Sequence, residues 1–194
     1  DLGFYNIEKN NNFIFFDKLK NKEFELLYLV GSDNLEIKKN EEFIIYQGSH
    51  GDKNASIADV ILPSAAYTEQ NGLFENLEGR IQECKKSSYP TNKALEDWKI
   101  FNLINYGLNR LNLFSDFSSI RKLALQEIPN FSEINLLPKK IKSVKTNTLL
   151  ETTSERINIK NIDYYYTNAI ARASKTMSDC RDISNDNKKD GTNN

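Results

Sequence analysis

The stretch 24–63, FELLYLVGSDNLEIKKNEEFIIYQGSHGDKNASIADVILP, decides the fold. It holds three short apolar runs, each closed by a turn or a breaker. Leu26-Leu27-Tyr28-Leu29-Val30 ends at Gly31-Ser32-Asp33-Asn34, and Phe43-Ile44-Ile45-Tyr46 ends at Gln47-Gly48-Ser49-His50-Gly51-Asp52. Val60-Ile61-Leu62 stops at Pro63, whose missing N–H suits the end of a strand. Nearly continuous apolar runs of this length read as strands buried on both faces, and their spacing of roughly 15 residues fits short crossovers. The sequence therefore predicts the end of a parallel α/β sheet, with Leu27, Leu29, Ile44, Ile45 and Ile61 buried. Residues 1–20 read as a helix or loop leading into it.

From Leu95 the apolar period lengthens. Leu95, Trp98, Phe101, Ile104, Leu108 and Leu111 recur at steps of three and four, which predicts one face of an amphipathic helix. Asn92 is its expected N-cap, with Glu96 and Asp97 in the first turn, where the helix dipole favours acids. A second helix is predicted over Ser118–Ile128, burying Ile120, Leu123 and Ala124 and stopping before Pro129. Pro138–Lys145 reads as a basic linker. Tyr164-Tyr165-Tyr166 then precede a tail helix running from Ala169 to about Cys180, capped by Asn168, with Ile170, Ala173 and Met177 on one side. Ser184–Asn194 has no apolar residue and is expected to be disordered. The plan is thus 1–90 as the C-terminal part of an α/β domain and 91–143 as a helical segment of the same domain. A linker and docking tail follow over 144–181, and a disordered end over 182–194.

Composition sets the outer bounds. The 194 residues suffice for a real core, and 26 basic against 27 acidic residues leave a net charge of −1, so no global field draws the chain to nucleic acid or anionic lipid. The longest clean apolar run falls far short of the ~20 residues of a membrane helix. A single histidine, His50, excludes multi-histidine metal sites, and Cys84 and Cys180 have no metal-like spacing, so they read as free thiols of a reducing compartment, with a disulfide between them as the lesser alternative. Phe, Tyr, Met, Ile, Asn and Lys number 85 against 27 for Gly, Ala, Arg and Pro. That bias is expected of an AT-rich genome such as an organelle's, and it warns against reading function into Asn or Lys clusters. The chain opens at Asp1 without a basic, acid-poor leader, as expected of a processed protein or part of a longer one.

No residue emerges as catalytic, cofactor-binding or metal-ligating. The Gly48–Asp52 turn follows a strand, where open α/β sheets place ligands, and His50 is an acid/base candidate. Neither GxGxxG nor a Walker sequence is present, and the simpler reading is a tight loop whose glycines supply positive φ and whose Asp52 satisfies backbone N–H groups. Glu69 and Glu78 form a candidate acid/base pair only if they face each other, and Arg80 more simply neutralises one of them in a loop folded back over the sheet. Ser64 has no histidine beside it in sequence, and Cys84 has Lys85 and Lys86 but no established base. The tyrosine triplet reads as packing.

The run IIYQGSHGDKNASIADVILPSAAYTEQNGLFENLEGRIQ (44–82) closely resembles the large iron–sulfur subunit of respiratory complex I, NADH:ubiquinone oxidoreductase, within its molybdopterin-oxidoreductase-like domain. LLYLVGSDN (26–34), EDWKI (96–100) and DYYYTNAIARASKTMSDC (163–180) resemble further stretches of the same family in the right order, the last in its mitochondrial and alphaproteobacterial form. Departures are local: Ser64 where the family usually has Gly, Leu73 and Leu77 where it has Thr, and Ala169 where it has Pro.

The resemblance implies the C-terminal portion of that subunit. The family's iron–sulfur clusters sit on cysteine-rich motifs of the N-terminal part, and nothing like CxxC occurs here, so no cluster is expected on this chain. In the family this domain is understood to have lost its pterin cofactor and become a scaffold, so no cofactor of any kind is expected. The implied function is a non-catalytic structural part of the peripheral arm, with the N-terminal part of the same subunit and other peripheral-arm subunits as partners. The implied location is the matrix side of the mitochondrial inner membrane, or the cytoplasmic face of a bacterial inner membrane. The alternative is the C-terminal part of an active molybdopterin-dependent oxidoreductase of formate-dehydrogenase type. A chain that completes another's sheet is also expected to be poorly stable alone.

Overall fold

The computed structural model describes residues 17–32, 37–51, 53–76, 78–128, 131–137 and 163–190. Most of the expected leading helix or loop, the Pro138–Lys145 linker, and Asp33, Asn34, Asp52 and Leu77 lie outside the described residues. The chain divides into two compact units, 1–139 and 140–194.

The first unit is built on three parallel strands, β1 (Leu26–Val30), β2 (Phe43–Gly48) and β3 (Val60–Pro63), in the order β1-β2-β3. This is the parallel α/β sheet that the sequence predicts. Leu27 pairs with Ile44, Leu29 with Tyr46, and Tyr46 with Ile61, so these residues share one face. On that face Leu27, Leu29, Ile44 and Tyr46 form the core with Ile37. Leu19, Phe24, Ala55, Ile57 and Ala58 pack against it. Ala55 and Ile57 belong to α1 (Lys53–Ile57), the crossover from β2 to β3. Buried Asn54 donates to Ser32 O at 2.5 Å, which ties α1 to the end of β1. Asp59 lies ahead of β3 and extends the ladder with its side chain. Oδ2 accepts the Ile44 N–H at 2.8 Å while Lys39 Nζ donates to Oδ1, and the Lys39 hydrogen bond holds this carboxyl below the usual carboxylate range.

Burial on both faces is corrected. Leu27, Leu29 and Ile44 are buried as expected, but Ile45 is only half-buried and Ile61 is 54% exposed. Ile45 points to the opposite face, which the described residues cover sparsely, and Ile61 stands on an edge strand with a neighbour on one side only.

Beyond β3 the chain forms an antiparallel hairpin, β4 (Gly72–Glu75) and β5 (Ile81–Cys84), whose pairing the apolar runs did not announce. The first long helix, α2, spans Asp97–Asn109 rather than starting at Leu95. Leu95 is held in strand geometry instead: its N–H donates to Pro63 O (3.2 Å) and its C=O accepts from Ala65 N (2.8 Å), so it extends the sheet as a bridge beside Ser64. Asn92 is therefore not the N-cap; it sits in a turn at φ 53°, and Glu96 takes the cap position. The helix ends at Asn109 because Arg110 turns left-handed and Asn102 clamps the returning loop through both the N–H and C=O of Phe114. Only Ile100 is fully buried. Phe101 and Leu108 on the predicted apolar face are exposed, and Leu111 lies beyond the helix. The next helix, α3 (Phe117–Glu127), starts one residue before its predicted position under a capping box between Asp116 and Ser119. Ile120 and Ala124 are half-buried and Leu123 is exposed, against the expected burial.

In the second unit a 3₁₀ turn (Tyr164–Tyr166) leads to α4 (Ala169–Ala173) and α5 (Lys175–Asp190). Asn168 caps α4 as predicted, accepting from Ala171 N at 2.9 Å. The single tail helix is in fact two, because Ser174 is extended and accepts the Met177 N–H (3.4 Å) with its own side chain, restarting the helix. Across the expected boundary at residue 182, α5 runs on to Asp190, since polarity alone does not end a helix and no Gly or Pro intervenes before Gly191; residues 191–194 lie outside the described residues. Tyr166 packs rather than stacking on a ligand, donating to Ser178 Oγ (3.0 Å) under the Arg181 guanidinium, which also pairs with Asp163.

Replacing Ile44, which is fully buried, by Ala is expected to cost about 2–5 kcal/mol. Ile61→Ala is expected to cost less than about 1 kcal/mol. Urea titration with pulse proteolysis checks the ranking, and equal losses contradict the one-sided core.

Candidate functional site

The parallel strands β2 and β3 end at a cleft of about 730 Å³ whose walls include Ser49, His50, Ser64, Glu69 and Lys93. This is the strand-end position where open α/β sheets place ligands, and it gathers three of the residues singled out from sequence. They do not form a catalytic relay. His50 Nδ1 pairs with the neighbouring Ser49 Oγ at 3.0 Å, and no hydrogen bond joins His50 to Ser64 among the described residues. Glu69 Oε2 instead accepts the Ala66 N–H at 3.1 Å and closes its own turn.

The turn after β2 is shaped by Tyr46. Its hydroxyl donates to His50 O at 2.8 Å and lies so close to Gly48 that a Cβ there would stand 2.5 Å from it. Glycine is needed for this approach, not for a left-handed conformation: neither Gly48 nor Gly51 has positive φ, contrary to expectation.

Glu78 is not part of the cleft. It lies in the β4–β5 turn with Arg80 Nε 3.5 Å away, an ion pair without hydrogen-bond geometry, as the charge-neutralising reading has it. Asn76 builds that turn by accepting from both Glu78 N and Arg80 N at 3.0 Å, with Gly79 at φ 81°. Cys84 Sγ only approaches Tyr67 O at 3.5 Å, and Lys86 turns away from it to Glu96. Cys84 and Cys180 are both free.

The most strongly organised polar cluster is one the sequence reading missed. Gln47, fully buried on β2, accepts from Tyr28 Oη on β1 (2.5 Å) and donates to Asp97 Oδ1 at the start of α2 (2.6 Å). Gln70 Nε2 donates to the other Asp97 oxygen (2.9 Å), and Gln70 Oε1 accepts the Asp97 N–H (3.2 Å). Burial, and then the Asp97 charge, raise the pKa of Tyr28, so it remains a donor.

Next to this knot, buried Glu96 accepts from Trp98 Nε1 (2.9 Å) and Lys86 Nζ (3.2 Å), with Lys99 Nζ at 3.5 Å. Burial alone would raise the Glu96 pKa, but those hydrogen bonds and the two lysine charges outweigh it and hold the carboxyl below the usual range. A carboxylate kept ionised in this way is an anchor, not a general acid. The signal available in the sequence was the acidic pair before Trp98, read only as dipole-compensating charge.

A family model of molybdopterin oxidoreductase matches residues 4–105, more than half of the chain. The chain belongs to the molybdopterin oxidoreductase family. Residues 129–180 match a second model, the C-terminal region of the G-type NADH-ubiquinone oxidoreductase subunit. The NADH-ubiquinone oxidoreductase 75 kDa subunit of Reclinomonas americana is 36% identical over 172 residues, covering 86% of this chain and 25% of that protein. The G-type NADH-quinone oxidoreductase subunit of Rickettsia bellii is 41% identical over 162 residues, covering 83% and 24%. The mitochondrial 78 kDa subunit of Candida albicans is 36% identical over 192 residues, covering 93% and 25%. The chain thus spans about a quarter of the length of the curated relatives it matches. The resemblance read from residues 26–34, 44–82, 96–100 and 163–180 is borne out.

The family name implies a pterin cofactor, and the strand-end cleft is where its fit is tested. Close backbone approach at Gly48 is taken by Tyr46, and the carboxylate of Glu69 shares the cleft wall with His50. Among the described residues no group of three or more His, Cys, Asp or Glu side chains is placed to hold a metal ion. No step is derived through that group.

Trp98 is the chain's only tryptophan, so its fluorescence reports on Glu96 directly. Because the folded pKa lies below the unfolded value, the Glu96 contribution to stability is complete above about pH 4.3 and is lost as pH falls through the folded pKa. Acid titration of Trp98 emission in the isolated chain is expected to show a midpoint below that value, absent in Glu96→Gln. A midpoint above it contradicts the network.

Proposed function

We propose that this chain is a non-catalytic structural part of the peripheral arm of respiratory complex I. It would complete the cofactor-free domain of the iron–sulfur subunit that supports electron transfer from NADH to ubiquinone. The observation that carries this reading is the succession of two matches along one chain, the molybdopterin oxidoreductase domain and then the C-terminal segment of the NADH-ubiquinone oxidoreductase subunit. The geometry agrees with a scaffold, since the best-ordered polar groups, Gln47, Gln70, Glu96 and Asp97, join strands to a helix rather than converging on a reacting position. The N-terminal part of the same subunit, which would hold the iron–sulfur clusters, and other peripheral-arm subunits are the partners. The location is the matrix face of the mitochondrial inner membrane, in keeping with mitochondrial relatives and with the absence, among the described residues, of a helix long and apolar enough to cross a membrane.

The second unit is the docking strap of this assembly. Tyr164, Ile170 and Ile183 are exposed on segments whose internal ties include the polar pairs Asp163–Arg181 and Tyr166–Ser178. The 3₁₀ turn and the five-residue α4 are too short to be stable in water without further burial.

The strand-end cleft keeps a second reading alive, an active molybdopterin-dependent oxidoreductase of formate-dehydrogenase type. Stoichiometric molybdenum or tungsten in the purified assembly would establish it in place of the scaffold.

Deletion after Lys160 is expected to lower assembled complex I on native gels at least about two-fold, with NADH oxidation per assembled complex unchanged, since burying each large apolar strap residue contributes roughly 1.5–3 kcal/mol. Normal complex levels after the deletion contradict the strap.

A further inference from the structure

The chain has 25 asparagines, and only Asn71 is followed by glycine. That pair is the one most prone to cyclise, because Gly72 has no Cβ to keep its amide nitrogen away from the carbonyl carbon of the Asn71 side chain. Both residues are nonetheless tied into the fold. The Phe74 ring lies so close over Gly72 that a Cβ there would stand 2.9 Å from it. Asn71 Oδ1 accepts the Lys86 N–H at 3.0 Å across the β4–β5 hairpin. Lys86 in turn reaches buried Glu96 with its Nζ at 3.2 Å. Asn71 therefore holds the segment after β5 whose lysine anchors the residue ahead of α2.

In the closed hairpin both reacting groups are committed. Asn76 N–H donates to Arg80 O at 3.0 Å. Counting from that pair, the alternation of an antiparallel ladder makes Phe74/Gln82 and Gly72/Cys84 the hydrogen-bonded pairs. The Gly72 N–H is thus turned into the ladder, toward Cys84 O, while the Asn71 side chain is held by Lys86. A nitrogen so placed cannot approach Asn71 Cγ. Gly72/Cys84 is also the terminal pair of its ladder, where local opening costs least.

We propose that Asn71 is a self-modification site gated by the β4–β5 hairpin, converting to aspartate or isoaspartate only in chains whose hairpin has opened. The Gly72 backbone nitrogen attacks Asn71 Cγ and forms the N–C bond of a succinimide. The Cγ–Nδ2 bond breaks, and ammonia leaves with the Gly72 proton. Water then cleaves the ring. Breaking the bond to Cγ gives aspartate, and breaking the bond to the backbone carbonyl carbon gives isoaspartate. Both products add a negative charge, and isoaspartate also lengthens the main chain by one atom immediately before β4. The acceptor of the Lys86 N–H is displaced, so the tie to Glu96 does not re-form as before. The change is one-way and marks a chain that has stood open. It is independent of the complex I reading.

Peptide mapping by mass spectrometry tests it. The full chain is purified in its native assembly and incubated in mildly alkaline buffer at physiological temperature, beside the same chain held unfolded in urea. In urea, modification at Asn71 is expected to outpace that at every other asparagine. In the native assembly it is expected to run at least about ten-fold slower. Equal rates in the two states overturn the gate, and a different leading asparagine in urea overturns the site. Low urea separates hairpin opening from unfolding of the whole chain. The rate is expected to climb at urea concentrations where pulse proteolysis still leaves the chain intact, and a rise only together with global unfolding overturns the hairpin as the gate.

Discussion

The handedness of parallel crossovers governs this molecule. Each link between strands must pass over the sheet on one particular face, so the chain packs Ile37, Ala55, Ile57 and Leu19 over a single side of β1 and β2, while α2 meets the other side through Asp97 on Gln47 and Phe101 near Tyr28. The core is one-sided as a result. Leu27 and Ile44 are sealed, while Leu26 and Phe43, one position away along the same strands, stand open. A parallel sheet is ordinarily covered on both faces, and among the described residues the second face is the less covered of the two.

What ties α2 to the second side of the sheet is polar. The Tyr28–Gln47–Asp97–Gln70 knot connects β1, β2, the loop after β3 and the start of α2 through hydrogen bonds that are directional where packing is sparse. A buried amide left without partners would cost about 1–3 kcal/mol, so the network also penalises any other seating of α2. Glu96 adds a charge-paired anchor one residue earlier. The cleft at the strand ends keeps the position of an enzyme site, yet its residues satisfy one another: Ser49 with His50, Glu69 with its own turn, and Tyr46 over Gly48. A fold's site position does not by itself carry its chemistry.

The strands were legible because apolar runs and breakers report local chain preference directly, and Pro63, Gly31 and the Asn168 cap were legible for the same reason. Depth of burial was not. LLYLV and FIIY look alike whether one face or two are covered, since the covering elements do not appear in the strand itself, and Ile61 is exposed only because β3 is last in the sheet. Leu95 fitted the helical period, but a long-range bridge to the end of β3 claimed its backbone, which no local pattern announces. The structural asparagines were hidden by their own abundance. In a chain this rich in Asn, nothing set apart Asn76, which builds the hairpin turn, or Asn102, which ends α2. Of the residues weighed from the sequence, His50 and Glu69 line the cleft with chain neighbours as partners, and Ser64 is held by backbone pairing with Gly48 and Leu95, so none of the three partners another.

The central claim is that this chain is one side of a layered domain and is stabilised by the rest of it. Thermal unfolding followed on the same 194 residues, alone and within the native assembly, measures that dependence most directly. The account predicts a shallow transition for the isolated chain, at least about 10 °C below that of the assembled form. A sharp transition with the same midpoint in both would contradict it.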